Sequence, residues 1–283
     1  MNRGHRLAVV WGFGLVCLLL TKSAFSADET FSPIKLELVS EREGIVPGEK
    51  FTVGVRQEML PGYHTYWRNP GTVGLGLRLK WDLPDGFVAG EIQWPTPETC
   101  RMAAYNVWGY HDTALMLVDI TPPKDLEPGT AVELNTQAVW MCCGEFCHPG
   151  QKQLALRLPV VDLANLSGEQ SREFDQTRNV QPRVSLQWKL SCSVSGDEYR
   201  LKITPAGRQT LPSDIRFFDY DRQISSDRGQ KRQLVSDGLT LVMQHEEHTG
   251  ERLPRLRGML AAEGEWEPGV TTIAVDVPIV HSK

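Results

Sequence analysis

The sequence predicts an all-β protein built from two immunoglobulin-like antiparallel β-sandwich domains in tandem. Short runs alternate apolar and polar residues with period two, which turns one side toward a core and the other toward water. Pro-Gly, Pro-Asp-Gly and Asn-Pro-Gly turn signals stand between these runs. No long helical period interrupts them, and many short strands spaced about 8–12 residues apart suit a sandwich.

The first segment is a separate matter. Arg3, His5 and Arg6 precede an apolar stretch from Leu7 to Leu20, shorter than the roughly 20 residues of a membrane span. Ala24-Phe25-Ser26 then supplies small residues at the −3 and −1 positions of a cleavage site. Residues 1–26 therefore read as a secretory signal peptide, with an uncleaved anchor as the alternative. The mature chain is expected to be periplasmic or secreted, and Cys17 leaves with the leader.

Strands are expected at Ile34–Leu38, Phe51–Val55, Leu75–Trp81 and Leu154–Leu158. Residues 163–182 are polar and suit a short helix or a linker. Alternation resumes at Val184–Trp188, Tyr199–Ile203, Leu239–Met243 and Thr272–Val277. A first domain over 27–162, a linker over 163–182 and a second sandwich over 183–283 follow. With 41% hydrophobic and 23% charged residues the chain can form packed cores, and its net charge of −5 argues against a nucleic-acid partner.

The chemistry concentrates in Trp140-Met141-Cys142-Cys143-Gly144-Glu145-Phe146-Cys147-His148-Pro149. Of the six cysteines, five lie outside the leader: Cys100, Cys142, Cys143, Cys147 and Cys192. An odd number leaves at least one thiol unpaired within the chain in an oxidising compartment. In a straight strand Cys143 and Cys147 would stand roughly 13 Å apart, too far for a disulfide. To pair, the chain must fold back at Gly144-Glu145-Phe146, and a glycine suits this because it accepts positive φ. Such a bond closes a short loop and stabilises little, so it is a poor staple and a reasonable exchangeable dithiol. His148 would favour a thiolate at Cys147 and Glu145 would oppose it.

Two other readings stay open. One is an ordinary buried disulfide in a secreted sandwich. The other is a copper or zinc site formed by Cys142, Cys143, Cys147 and His148, whose residue types fit but whose adjacent cysteines point to opposite strand faces. A vicinal Cys142–Cys143 bond is disfavoured by the short Cα separation of neighbouring residues.

The cysteine segment resembles the redox motif of the N-terminal periplasmic domain of DsbD-type thiol:disulfide interchange proteins, closest to the ScsB-like branch. Pro61-Gly62-Tyr63-His64-Thr65-Tyr66-Trp67-Arg68-Asn69-Pro70-Gly71, Trp94-Pro95-Thr96-Pro97-Glu98 and Val107-Trp108-Gly109-Tyr110 resemble it too. So do Arg216-Phe217-Phe218-Asp219-Tyr220-Asp221 and Asp237-Gly238-Leu239-Thr240-Leu241 in the second half. The resemblance implies an immunoglobulin-like relay of reducing equivalents in which Cys143 and Cys147 exchange. Cys147 would attack a partner's disulfide, and Cys143 would resolve the mixed disulfide. It implies a cap loop around Val107, Trp108 and Tyr110, no cofactor, and partners that are thioredoxin-like or disulfide-bonded periplasmic proteins. The family's transmembrane and C-terminal thioredoxin-like domains do not follow in this sequence, so a membrane electron-transfer protein in trans is the expected donor. Turnover as a protein-disulfide reductase depends on that donor.

Cys142 stands where the branch usually carries an apolar residue, and Cys100 is also unexpected. Both suit buried positions or a staple between them. Cys192 reads as a buried free thiol. His245-Glu246-Glu247-His248 lacks the H-E-x-x-H spacing of a zinc helix and reads as a solvated turn. The aromatic run Tyr63–Arg68 reads as core rather than as a binding face.

Overall fold

The computed structural model describes Met1, residues 31–247 and residues 252–281. Apart from Met1, the expected signal peptide lies outside the described residues. His248 is outside them as well.

The first half contributes ten strands. They are β1 (Ile34–Ser40), β2 (Phe51–Met59), β3 (His64–Tyr66), β4 (Arg78–Asp82), β5 (Val88–Ala89), β6 (Glu98–Met102), β7 (Tyr105–His111), β8 (Thr113–Thr121), β9 (Ala131–Cys143) and β10 (Cys147–Pro159). A four-stranded sheet in the order β1-β2-β8-β5 faces a six-stranded sheet in the order β10-β9-β3-β7-β6, with β4 also pairing β9. Between them lies a core that includes Leu36, Val53, Val55, Met116, Val118, Leu134, Ala138 and Leu154, all fully or nearly fully buried. Alternation along each strand places these side chains inward, as the period-two runs require.

One helix follows, α1 (Gly168–Asn179), in the stretch expected to hold a short helix or linker. Its Phe174 is fully buried against Val39, Leu115 and Leu117, on the outer face of the four-stranded sheet. Arg178 grips Glu41 through two nitrogens at 2.6 and 2.7 Å, a bidentate geometry that fixes the helix angle.

The second half adds β11 (Trp188–Ser195), β12 (Glu198–Pro205), β13 (Ser213–Asp219), β14 (Lys231–Val235), β15 (Gly238–Gln244), β16 (Arg255–Glu263) and β17 (Thr272–His281). They form one sheet in the order β13-β16-β17-β11-β12-β15-β14. A short parallel pairing of Cys192–Val194 with Ile279–His281 joins its two antiparallel parts. Residues from both parts, among them Phe217, Leu256, Leu201 and Leu241, share one buried cluster. The fold is all-β and immunoglobulin-like, as the alternating runs predict.

Two expected strands begin later than the pattern suggests. Leu75–Leu77 is irregular because the backbone of Gly76 lies against the Trp67 carbonyl, where a Cβ would stand 2.5 Å from the oxygen. Val184–Gln187 is outside the sheet, with Val184 and Leu186 exposed. Apolar alternation alone does not make a strand where no neighbour offers a ladder.

Ser32–Lys283 forms one compact unit, in which the two sandwiches meet over a shared aromatic cluster. Trp67 and Trp108 from the first contact Phe218 from the second at ring-centroid distances of 6.2 and 5.7 Å. Adjacent residues divide the work: Phe217 enters the second core and Phe218 the first. Around this cluster Asn69 Nδ2 donates to the Asp219 carbonyl at 2.7 Å, and Asn106 N donates to Asp227 at 2.8 Å. Gly71 has φ +86° and lies so close to Ser226 that a side chain would overlap its hydroxyl, so glycine is needed there twice over.

Candidate functional site: a disulfide at the apex of the β9–β10 hairpin

The long β9–β10 hairpin registers Cys143 opposite Cys147. Gly144-Glu145-Phe146 closes it, with Gly144 N donating to the Phe146 carbonyl at 3.0 Å. The two cysteines form a disulfide with Cα atoms 4.1 Å apart. The fold-back that pairing demands is present, but Gly144 serves it differently than expected. Gly144 is not among the residues with positive φ. Its requirement is space: a Cβ there would lie 3.0 Å from the Tyr63 ring and 3.1 Å from the Gly62 carbonyl.

The two sulfurs differ in access. Cys143 is fully buried, whereas Cys147 is half-buried. Cys143 shares a small cluster with Tyr66, Cys100 and Val107, and Met102, Met141 and Cys147 pack at its margin. The Met102 thioether sits 3.7 Å from Cys147 Sγ. A disulfide sulfur carries no hydrogen, so this is a van der Waals contact. Phe146 is 68% exposed, Glu145 is exposed beside it, and the His148 ring meets Tyr63 edge-on at 5.8 Å.

Strand parity sorts the remaining candidates. Val107 lies on the disulfide side of β7, but neither Trp108 nor Tyr110 accompanies it. Both belong to the main core, where Trp108 meets Trp67 and Phe218 and the Tyr110 hydroxyl donates to the Pro95 carbonyl at 2.8 Å. The expected cap of Val107, Trp108 and Tyr110 is thus corrected. Only Val107 reaches the cysteine cluster, and the residue over Cys147 is Met102 from the adjoining β6–β7 hairpin. The metal set Cys142, Cys143, Cys147 and His148 is not assembled either, because Cys142 is in the main core with Trp140 and the other two sulfurs are bonded to each other.

Cys100, Cys142 and Cys192 are buried free thiols, so no Cys100–Cys142 staple exists. Burial pushes each thiol up to about 12, with the Glu98 charge adding to the effect at Cys100. Such thiols stay protonated in the metal-free protein at neutral pH and are poor nucleophiles. In the aromatic run, His64, Thr65, Tyr66 and Trp67 are all buried, as a core reading requires.

Sequence reading passed over Met102, Met141, His64 and His111. A signal did exist. Glu98, Cys100 and Met102 alternate on β6, and His64 registers with both His111 on β7 and Cys143 on β9. The first pattern is readable in one strand, but the second needs knowledge of which strands pair.

Residues 36–159 match the family described as thiol:disulfide interchange protein DsbD, N-terminal. Residues 36–159 form a DsbD-type N-terminal domain. The crystal structure of the N-terminal periplasmic domain of ScsB from Proteus mirabilis aligns with 88% of this chain and 92% of its own, at 15% identity and a TM-score of 0.60. That likeness extends across both sandwiches and speaks to fold. The periplasmic chaperones SfaE and YadV also align, at 8% and 12% identity, 88% and 85% coverage of this chain and 100% and 97% of theirs, but both TM-scores are 0.23. No curated protein sequence matches the chain. Among the described residues of the DsbD-type domain and the second sandwich, no helix is long and apolar enough to cross a membrane.

Proposed function

We propose that the chain is an extracytoplasmic thiol–disulfide exchange module that relays reducing equivalents to protein partners through Cys143 and Cys147. The observation that carries this reading is the asymmetry of the disulfide: a partly buried Cys147 at a hairpin apex is backed by a fully buried Cys143. In the reduced state the Cys147 thiolate attacks a sulfur of the partner's disulfide and releases one partner thiolate. The Cys143 thiolate then attacks Cys147 Sγ and expels the second. The partner gains two electrons and two protons, and Cys143–Cys147 is oxidised. A reductant must reverse the cycle for turnover.

Several features support the roles. Attack needs an accessible nucleophile, which Cys147 can be and Cys143 cannot. Exposed Phe146 and half-buried Tyr63 offer apolar contact beside it, as a visiting protein surface requires. As modulators, an imidazolium at His148 would favour the Cys147 thiolate and Glu145 would oppose it, although the His148 ring meets Tyr63 and strand alternation turns it away from Cys147. The first sandwich, within the domain expected over 27–162, is the redox module; its thioredoxin-like or disulfide-bonded partners are periplasmic and its donor is a membrane electron-transfer protein.

Single-cysteine variants decide the matter. Cys143→Ser is expected to trap a mixed disulfide between Cys147 and a disulfide-bonded partner protein, while Cys147→Ser traps none and keeps its fold. The short ring contributes at most about 2 kcal/mol, so neither variant should unfold. Equal trapping by both, or unfolding of Cys147→Ser, would instead favour a structural bond. Equilibration in glutathione buffers gives an independent check: a potential near about −200 mV suits exchange, and one below about −300 mV suits an inert bond.

A further inference from the structure

On the same sheet face as the disulfide, three donor groups converge on one point. Cys100 Sγ lies 3.7 Å from His111 Nδ1, and Glu98 Oε1 lies 2.8 Å from the same nitrogen. All three ligand atoms fall within 4.8 Å of one another. The strands explain the convergence: Glu98 and Cys100 alternate on β6, and His111 ends the adjoining β7.

The trio superficially suggests a nucleophilic Cys-His-Glu relay. Its geometry rules that out. A relay needs the sulfur on one ring nitrogen and the carboxylate on the other, yet here both face Nδ1. Cys100 is also only 1% exposed, beyond the reach of a substrate. Three donors around one point form a chelate instead.

From this arrangement we infer that Glu98, Cys100 and His111 form a Zn²⁺-binding site on the β6–β7 hairpin. The donor set of thiolate, imidazole and carboxylate is one that zinc accepts in four-coordinate sites, while the carboxylate disfavours Cu⁺. In a tetrahedron with Zn–S about 2.3 Å and Zn–N about 2.0 Å, sulfur and nitrogen stand roughly 3.5 Å apart, close to the separation seen here. Access is one-sided: Cys100 closes the buried end, while the exposed Glu98 and the His111 side chain, 38% exposed, open to solvent.

A second observation points to the same place. His64 registers directly opposite His111, their rings 5.9 Å apart. It is 2% exposed, and its Nε2 has no hydrogen-bond partner among the described residues. A buried nitrogen without a partner is costly; His64 borders the trio but is not one of its donors. On binding, Zn²⁺ takes the Cys100 sulfur as thiolate and its proton leaves to solvent. The inference does not rest on exchange by Cys143 and Cys147.

The test uses the full mature chain, oxidised so that Cys143–Cys147 is closed, and stripped of metal with a chelator. Titration with Zn²⁺ against a chromophoric competitor should show one tight equivalent. Cys100→Ser and His111→Ala should each weaken it by about tenfold or more, whereas Cys142→Ala and Cys192→Ala should leave it unchanged. Because Cys100 is buried, His111→Ala at its more open position keeps the test valid if Cys100→Ser folds poorly. Co²⁺ substitution should add a thiolate-to-metal charge-transfer band that is lost in Cys100→Ser. No tight zinc equivalent, or one insensitive to His111→Ala, overturns the site, and neither outcome touches the trapping result expected of Cys147.

Discussion

His64 shows how far one residue's surroundings govern its chemistry. It is buried between Tyr66 and His111, with ring centroids 5.1 and 5.9 Å away. Folding lowers its proton affinity from the ordinary 6.5 to about 4, first through burial and then through His111. The unfolded chain therefore binds a proton that the folded chain refuses between about pH 6.5 and 4. Stability from this residue is complete above that window and is lost as pH falls through it, by up to about 3 kcal/mol. In metal-free protein, urea melts of the wild type and His64→Gln should differ in pH slope across this window and run parallel above pH 7. Parallel slopes throughout would contradict the assignment. Asp219 titrates in the opposite sense, raised to about 6 by burial against three backbone N–H donors, but it is common to both proteins and cancels. Cys143 and Cys147 make the same point about surroundings. Two chemically identical residues end up one fully buried and the other partly exposed because they face each other across the end of a hairpin with unequal cover.

At the scale of elements, two hairpins build the site. β9–β10 carries the disulfide, and β6–β7 leans Met102 onto Cys147. Thioether cover slows oxidants and small thiols without adding a charge that would shift the sulfur's reactivity. Met102→Ala should therefore speed reduction of the disulfide by dithiothreitol several-fold with little change in reduction potential, measured by stopped-flow against the equilibrium value. A changed potential with an unchanged rate would place the effect of Met102 in the bond's thermodynamics instead. Parity along each strand was legible in the sequence: Trp140 with Cys142, and Cys143 on the opposite face. The same parity, applied to β7, separates Val107 from Trp108 and Tyr110. The expected cap failed because a stretch adjacent in sequence need not face one way, and strand alternation sends neighbours to opposite sides.

For the whole molecule, the notable fact is that the two sandwiches share aromatic core. Trp67, Trp108 and Phe218 close the junction, and Arg68 lies over the Tyr220 ring at 4.8 Å. The motifs Tyr66–Gly71 and Arg216–Asp221, far apart in sequence, meet here. Their resemblance to family signatures thus has a structural cause: they hold one sandwich against the other. Phe218→Ala should cost about 3–5 kcal/mol and lower the melting temperature of the whole chain. Calorimetry should show one transition in both proteins, because a shared core couples the two halves. Two resolved transitions in the wild type would mean that the junction contributes little.

The sequence alone determined the all-β class, most strand positions, the paired cysteines and their resemblance to a redox motif. These follow from local rules: period-two alternation, turn chemistry and the reach of a short loop. Only the tertiary structure decided which sulfur is exposed, that Met102 rather than Trp108 covers it, and that Glu98, Cys100 and His111 gather beside it with His64. Exposure and convergence depend on which strands become neighbours, and hydrogen-bonded pairing joins segments whose separation along the chain leaves no periodic trace.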